Sequence, residues 1–237
     1  MRFLRGRELP RRLRAAAFGT VLTLCMDNAA LAQGADESTY VVAYIEVAPN
    51  AAAEARGLLL SYGTEARGTA GLLHIDALQR VGYANQFALL EIWRTAKAQE
   101  AYAAAGAARK FLANLEPLRI AGYDARVHAP LSVGSYTPAS PEELVTVTHI
   151  DVIPTVRDAG VAKVREFTEH SRGTTGNRRF DALIQSSRPN HMTLIEGWST
   201  PAARDAHVSA GFVRAFREAL MPMSGSLYDE RLYEVLR

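Results

Sequence analysis

The chain has 237 residues, of which 48% are hydrophobic and 22% charged, so it can bury one large core or two small ones. Its formal net charge of +2 conceals a basic start, because the first 32 residues hold six Arg against Glu8 and Asp27 and leave a body with a net charge of about −2. A body with three lysines and a slight negative net charge is a poor candidate for a nucleic-acid binder, which needs a concentrated basic face, so we expect no nucleic-acid partner.

Residues 1–32 have the features of an export signal. The basic stretch MRFLRGRELPRRLR precedes the apolar run AAAFGTVLTLCM, and Ala30-Leu31-Ala32 has the small-x-small form of a cleavage site. The apolar run is too short to span a bilayer core of about 30 Å. We therefore expect a signal peptide cleaved after Ala32, a periplasmic or secreted protein and no membrane attachment afterwards; an uncleaved anchor is the alternative. Cleavage would remove Cys25, the single cysteine.

The rest of the chain contains the same domain twice. Residues 105 positions apart correspond without a gap from Tyr40 to the C-terminus, and the turn ARGTAG at 66–71 recurs as SRGTTG at 171–176. A register held over both copies indicates a duplicated small domain, because a solenoid would use shorter and more numerous units. We predict a first domain over residues 40–131, a Ser-, Pro- and Gly-rich linker over 132–143 and a second domain over 144–237.

Both copies predict the same elements in chain order. VVAYIEVAP and LVTVTHIDVIP are β-branched strands closed by Pro. Helical spacing follows over residues 50–67 and 155–172, and the glycine after each terminal Arg suits a helix C-terminus. GLLHIDALQR with QFALLEIWR, and NRRFDALIQ with HMTLIEGW, predict two hairpins. A second helix opens at Thr200-Pro201, and a last strand lies within residues 224–236.

The predicted fold class is α+β. The order β-α-β-β-α-β is that of a ferredoxin-like unit, whose four-stranded sheet carries helices on one face and leaves the other bare. Two copies can cover these faces against each other, and a linker of about a dozen residues can reach up to ~40 Å. We therefore predict two tandem ferredoxin-like domains that form an intramolecular dimeric α/β-barrel, a pseudo-dimer within one chain. Whether two chains pair further stays open.

One motif in the second copy resembles a known family. LIEGW at 194–198, followed by AHVS at 206–209, resembles the motif of the antibiotic biosynthesis monooxygenase family, whose members include quinol monooxygenase-like domains. The resemblance extends over both copies. It implies the barrel fold and activities that include cofactor-independent oxygenation of quinols and polycyclic aromatics, with haem degradation in one branch. We expect an exported enzyme that acts with O₂ on a quinol or other aromatic small molecule, with no metal or flavin. The alternative is a non-catalytic module that binds a small molecule or haem.

The candidate catalytic residues are His207, Trp198 and Glu196. Residues two apart in a strand share a face, so Trp198 can stack on a flat substrate while Glu196 receives a phenolic proton. His207, at the position of the family's helix histidine, can take a quinol proton or ligate a haem iron. The alternatives are a core tryptophan beside a solvated or arginine-paired glutamate, and a surface histidine. On one continuous helix His207 lies on the polar flank, unless the helix restarts near Ser209.

The candidate substrate-binding residues come from both copies: Trp93, Glu91, Tyr102, Phe212 and Arg172. Tyr102 occupies the position of His207, so the first half-site departs from the family pattern and its activity stays open. Arg172 could reach an acidic substrate, although a solvated arginine is usual at a helix end. The histidines show no helical pair, so we predict no metal site.

Overall fold

The computed structural model describes residues 37–135, 139–140 and 142–237. The predicted export signal lies outside the described residues, as does part of the predicted linker. The last strand of the first copy ends at Ser132, the first residue of that linker, and the first strand of the second copy begins at Leu144, directly after it.

The two copies repeat one series of elements. In the first copy these are β1 (Thr39–Glu46), α1 (Ala52–Ala66), β2 (Leu72–Arg80), β3 (Gln86–Trp93), α2 (Ala96–Ala103), α3 (Gly106–Leu115) and β4 (Asp124–Ser132). In the second copy they are β5 (Leu144–Asp151), α4 (Arg157–Ser171), β6 (Asn177–Gln185), β7 (His191–Trp198), α5 (Pro201–Val208), α6 (Gly211–Leu220) and β8 (Asp229–Val235). The predicted order is confirmed, except that the second helix of each copy is two short helices.

The second helix begins and breaks in the same way in both copies. Thr200 caps α5 by accepting a hydrogen bond from the Ala203 amide, and Thr95 caps α2 in the same way. The chain then leaves the helical conformation at Ala210, whose φ and ψ are −66° and 145°, and α6 restarts at Gly211. Ala105 makes the equivalent break before α3. The two short helices therefore have independent axes. The direction of each axis determines the orientation of the side chains next to the break.

The repeated Arg-Gly turns join the first helix of each copy to the next strand. Gly71 and Gly176 both have a positive φ, of 87° and 80°. A Cβ at either would also overlap the second-helix alanine beside it, at 2.6 Å from Ala98 Cβ in the case of Gly71. Glycine is thus required at this position twice. The earlier glycine differs between copies, since Gly68 has a φ of 97° and Gly173 does not adopt a positive φ.

The described strands close into an antiparallel barrel of order β1-β3-β2-β8-β5-β7-β6-β4. Each copy contributes the ferredoxin-like order β4-β1-β3-β2 or its equivalent. The copies join at two seams: β2 pairs with β8 through Leu78 and Val235, and β4 pairs with β6 through His128 and Gln185. Each copy's last strand thereby pairs with the edge strand of the other, so the barrel leaves no free edge. The predicted intramolecular barrel is confirmed.

Alternation along the strands divides the side chains between two environments. One set fills the barrel interior and comes from both copies: Tyr40, Val42, Leu78, Ala88, Leu90, Ile92, Val145, Val147, Leu183, Ile195 and Tyr233. The other set faces the helices and forms one core in each copy, around Trp93 and around Trp198. None of the helices among the described residues is long and apolar enough to cross a membrane.

Candidate functional site

The candidate site of the second copy lies between the sheet and the helices. Glu196 and Trp198 on β7 face the helices, whereas Ile195, the residue before Glu196, points into the barrel. Both side chains are buried, with Trp198 fully so. The shared face predicted from their spacing is confirmed. Trp198 is a core residue, as the alternative predicted, but Glu196 is not solvated.

His207 lies in the last turn of α5 and is 2% exposed. Its ring centroid is 4.6 Å from that of Trp198. Three phenylalanine rings complete the shell at 5.4 to 5.9 Å: Phe212, Phe180 and Phe167. The surface position given by a continuous helix is wrong, because the break at Ala210 lets α5 turn this face toward the sheet. The Nδ1 atom of His207 has no hydrogen-bond partner.

Burial and nearby positive charges keep the imidazole of His207 neutral. Burial lowers its pKa to about 4, with Arg217, Arg204 and His170 acting in the same direction. A neutral imidazole has one nitrogen that accepts a proton. His207 is therefore in the base form throughout the neutral range.

Glu196 differs from expectation in its protonation. The indole Nε1 of Trp198 donates a hydrogen bond to Oε2 of Glu196, at 3.0 Å. Burial nevertheless raises the pKa of Glu196 to about 8, since a carboxylate loses more hydration here than this bond and nearby arginines restore. At neutral pH the group is mainly the acid, so it can donate a hydrogen bond, whereas the role suggested by the sequence, proton acceptor, requires the carboxylate.

An ion-pair network from three elements lies beside these groups. Glu230 on β8 binds Arg204 of α5 and Arg217 of α6, the latter at 2.6 Å. The guanidinium of Arg217 also lies 4.8 Å from the ring centroid of Tyr228. Sequence reasoning missed this network, although aligning the two copies shows that its three charged residues occur only in the second copy. The first copy has Gln99, Leu112 and Ala125 at the positions of Arg204, Arg217 and Glu230.

The first copy assembles a different cluster at the equivalent place. Trp93 Nε1 donates to Glu91 Oε2 at 2.8 Å, and the Tyr62 hydroxyl donates to Glu91 Oε1 at 3.2 Å. The rings of Trp93 and Tyr102 are 5.0 Å apart. Burial raises the pKa of Glu91, against both hydrogen bonds. Each carboxylate oxygen thus has a protein partner, and a phenol stands where the second copy has an imidazole.

Phe212 joins the second-copy cluster and also borders a groove on the outer surface. The groove runs between α4 and α6 and has a volume of about 230 Å³. Phe212 packs on His170, with ring centroids 4.2 Å apart, and on His207 beneath. The equivalent groove of the first copy, between α1 and α3, has a volume of about 100 Å³. The second copy therefore has the larger groove, and Phe167 and Phe212 separate it from His207.

Arg172 does not join either cluster. Its Nε donates to the Phe180 carbonyl at 2.9 Å, and its Nη2 donates to the Ser132 hydroxyl at 3.0 Å. These bonds connect the end of α4 with β6 and with β4 of the first copy, across one of the two seams. The observed contacts are those of a structural residue.

No group of three or more His, Cys, Asp or Glu side chains in the described parts of the chain is arranged to hold a metal ion.

Comparison with known sequences gives one family. The sequence profile described as antibiotic biosynthesis monooxygenase matches twice, over residues 38–114 and 144–219. Comparison with curated proteins finds no match.

Solved structures with the same fold span both copies. A candidate monooxygenase from Fusobacterium nucleatum is 15% identical with a TM-score of 0.74, over 85% of this chain and 93% of its own. A candidate monooxygenase from Lactobacillus acidophilus is 16% identical with a TM-score of 0.68, over 85% and 95%. An anthrone oxidase-like protein is 12% identical with a TM-score of 0.67, over 85% and 92%. At these identities the similarity is one of fold.

Proposed function

Because the chain belongs to the antibiotic biosynthesis monooxygenase family, we propose that it oxygenates a quinol or other aromatic small molecule with O₂, without metal or flavin, in the second copy. The observation that carries the proposal is the state of His207. It is neutral, buried against Trp198, and has an Nδ1 atom without a partner. A base held in an aromatic shell suits a flat substrate with an acidic hydroxyl.

The proposed reaction begins with transfer of a phenolic proton to His207. The substrate anion then gives one electron to O₂, and the resulting radical and superoxide combine to form a carbon–oxygen bond as a peroxide. His207 returns its proton to the peroxide. The hydroperoxide then loses its outer oxygen with that proton and the hydrogen on the same carbon as water, which leaves a carbonyl, so one oxygen atom enters the product and the other leaves as water. An imidazole of low basicity holds the proton transiently, and O₂ draws the reaction forward by consuming the anion.

Glu196 and Trp198 support this reaction in different ways. Trp198 offers a ring face for stacking, and its N–H orients the carboxyl group of Glu196. Protonated Glu196 can donate its O–H to an anionic substrate or peroxide oxygen, as an electrostatic stabiliser. We assign Glu196 this donor role and His207 the role of base.

Oxygen uptake tests the proposal. The purified protein is incubated with a panel of quinols and polycyclic phenols, aerobically and anaerobically, beside His207→Ala. We expect O₂ consumption and product formation that require both oxygen and His207. Uptake no faster than that of His207→Ala across the whole panel would contradict the proposal.

A non-catalytic binding module is the second candidate. The close aromatic shell around His207 and the replacement of this residue by Tyr102 in the first copy favour binding without turnover. Native mass spectrometry and thermal melts with the same panel distinguish the two, since binding without turnover supports the module. Haem binding is checked by adding haemin, where a Soret shift weakened in His207→Ala would indicate ligation.

Export is part of the proposal and depends on residues 1–32. Cell fractionation with mass spectrometry of the mature N-terminus tests it, and we expect a protein outside the cytoplasm that begins after Ala32. A cytoplasmic protein that retains these residues would exclude export.

A further inference from the structure

The ion-pair network at the edge of the second-copy site contains more positive than negative charge. Glu230 is bound by two guanidinium groups, and the side chains of Arg204, Arg217 and Glu230 are 19%, 40% and 18% exposed. Arg204 also contacts Asp205 at 3.4 Å, but that carboxylate is 71% exposed and so well screened by water. The Nε atoms of both arginines are buried without a partner.

The fold does not need this network. The first copy docks α2 and α3 on the same sheet face with Gln99 and Leu112 in place of the arginines and Ala125 in place of Glu230. The second copy has this charged network and the first copy lacks it. This difference indicates that the network binds a ligand. Holding the helices together does not explain it, because the same helices pack in the first copy without it.

The adjoining interior has neutral polar groups that lack partners. Thr146 on β5 is fully buried beside Glu196, and its hydroxyl makes no hydrogen bond; the first copy has Val41 there. His207 Nδ1 is unpartnered as well. Buried polar atoms in native proteins normally have partners, so these atoms mark a place for a polar ligand. Since Glu196 and His207 are neutral at neutral pH, neither offsets the arginines.

We infer that the second-copy site selects an aromatic compound that carries an ionised acidic group, bound by Arg204 and Arg217 beside Glu230. Guanidinium groups bind carboxylates and other oxyanions through charge-assisted hydrogen bonds, and the unpartnered Nε atoms supply donors. The inference rests on the proposed location of the active site and adds the charge of the substrate. It applies to recognition whether or not the bound compound is oxidised.

Two probes of the same shape test the inference. The binding of 2-naphthoate and 2-naphthamide to the purified protein is measured by calorimetry at pH 7. We expect naphthoate to bind about tenfold more tightly or better, which is the effect of one added charge-assisted hydrogen bond. The preference should weaken with added salt because the arginines are partly exposed.

Variants that restore first-copy residues identify the groups responsible. Arg217→Leu and Arg204→Gln should each remove most of the preference for naphthoate. Glu230→Ala should increase it several-fold, because the arginines lose their protein carboxylate. Arg214→Leu is the matched control for Arg217→Leu, since Arg214 is an exposed residue of the same helix, α6, and both variants lose one positive charge. Thermal melts confirm that each variant is folded.

Three results would overturn the inference: neither probe binds, both bind equally, or the preference survives in both arginine variants. Lower melting temperatures with an unchanged preference would assign the network a structural role only. These outcomes are separate from those of the proposed function, because neither naphthalene probe is a quinol and binding is measured without turnover. Oxygen uptake can fail while the charge preference holds, and the reverse.

Discussion

The two copies share a scaffold and differ in what surrounds one buried glutamate. Glu91 in the first copy receives hydrogen bonds from Trp93 and from Tyr62, so both of its oxygens are occupied within the protein. Glu196 in the second copy keeps the tryptophan bond, but Phe167 replaces Tyr62 and removes the phenolic donor. The comparison shows that the same strand and helices can hold a glutamate with a tryptophan and a tyrosine donor, as in the first copy, or with the tryptophan donor and no tyrosine, as in the second.

The copies also differ in which buried polar atoms lack a partner. A buried polar atom without a partner costs about 1–3 kcal/mol, and a site with several such atoms weakens the core that contains it. In the first copy both oxygens of Glu91 have partners but the Tyr102 hydroxyl has none, and in the second copy the Thr146 hydroxyl and the Nδ1 atom of His207 have none. The second copy, with an imidazole where the first has a phenol, is the half in which we place the chemistry.

The largest expected effect comes from separating the copies. Residues 37–135 and 142–237 produced as independent chains each lose both seams and expose an apolar sheet face, so we expect each to dimerise or aggregate. Size-exclusion chromatography with light scattering measures this. Two soluble monomers that ignore each other on mixing would show that the copies do not depend on one another.

The second largest expected effect is a loss of activity when His207 is replaced, because the first copy has Tyr102 at this position. His207→Tyr gives the second copy the residue of the first and should reduce O₂ uptake by about 10²- to 10⁴-fold, the usual contribution of a general base. Tyr102→Phe is the matched change in the first copy and should leave the rate within about twofold. The wild-type rate should fall as pH drops through about 4, where His207 becomes protonated. Equal losses in the two variants would mean that both copies act.

Glu196→Gln tests the buried acid through its effect on stability. The folded-state pKa of Glu196 is raised to about 8, so this group contributes stability below its unfolded pKa, and that contribution is lost as pH rises to about 8. We expect the variant to have a higher melting temperature than wild type at pH 9, by the equivalent of several kcal/mol at most, and a similar one near pH 4. If the melting temperatures of the variant and of wild type instead change with pH in the same way, the carboxylate of Glu196 is exposed to water.

The smallest effect separates the two Arg-Gly turns. Gly68→Ala places a side chain at a φ of 97° and should cost about 1–2 kcal/mol, although a Cβ there meets no other atom. Gly173→Ala should be nearly neutral, because its φ is not positive and its Cβ would lie 3.5 Å from the His170 carbonyl oxygen. Denaturant unfolding measures both. Equal losses would indicate that the turns have the same conformation.

Much of the fold could be predicted because its signals are local and repeated. The 105-residue register, the period-2 strands and Thr200-Pro201 predicted the element order, and alternation placed Glu196 and Trp198 on one face. The helix break was foreseen only as an alternative, and the orientation of His207 depends on it. The arginine network was not predicted, because Arg204, Arg217 and Glu230 come from three elements.

The sequence by itself determined the duplication, the ferredoxin-like order and the pairing of the copies, since each follows from spacing along the chain. The tertiary structure decided which groups meet and in which protonation state. His207 is neutral because α5 buries it, and Glu196 is protonated because the sheet and helices remove its water. Burial and distance between remote elements set these properties, and neither is encoded in the order of neighbouring residues.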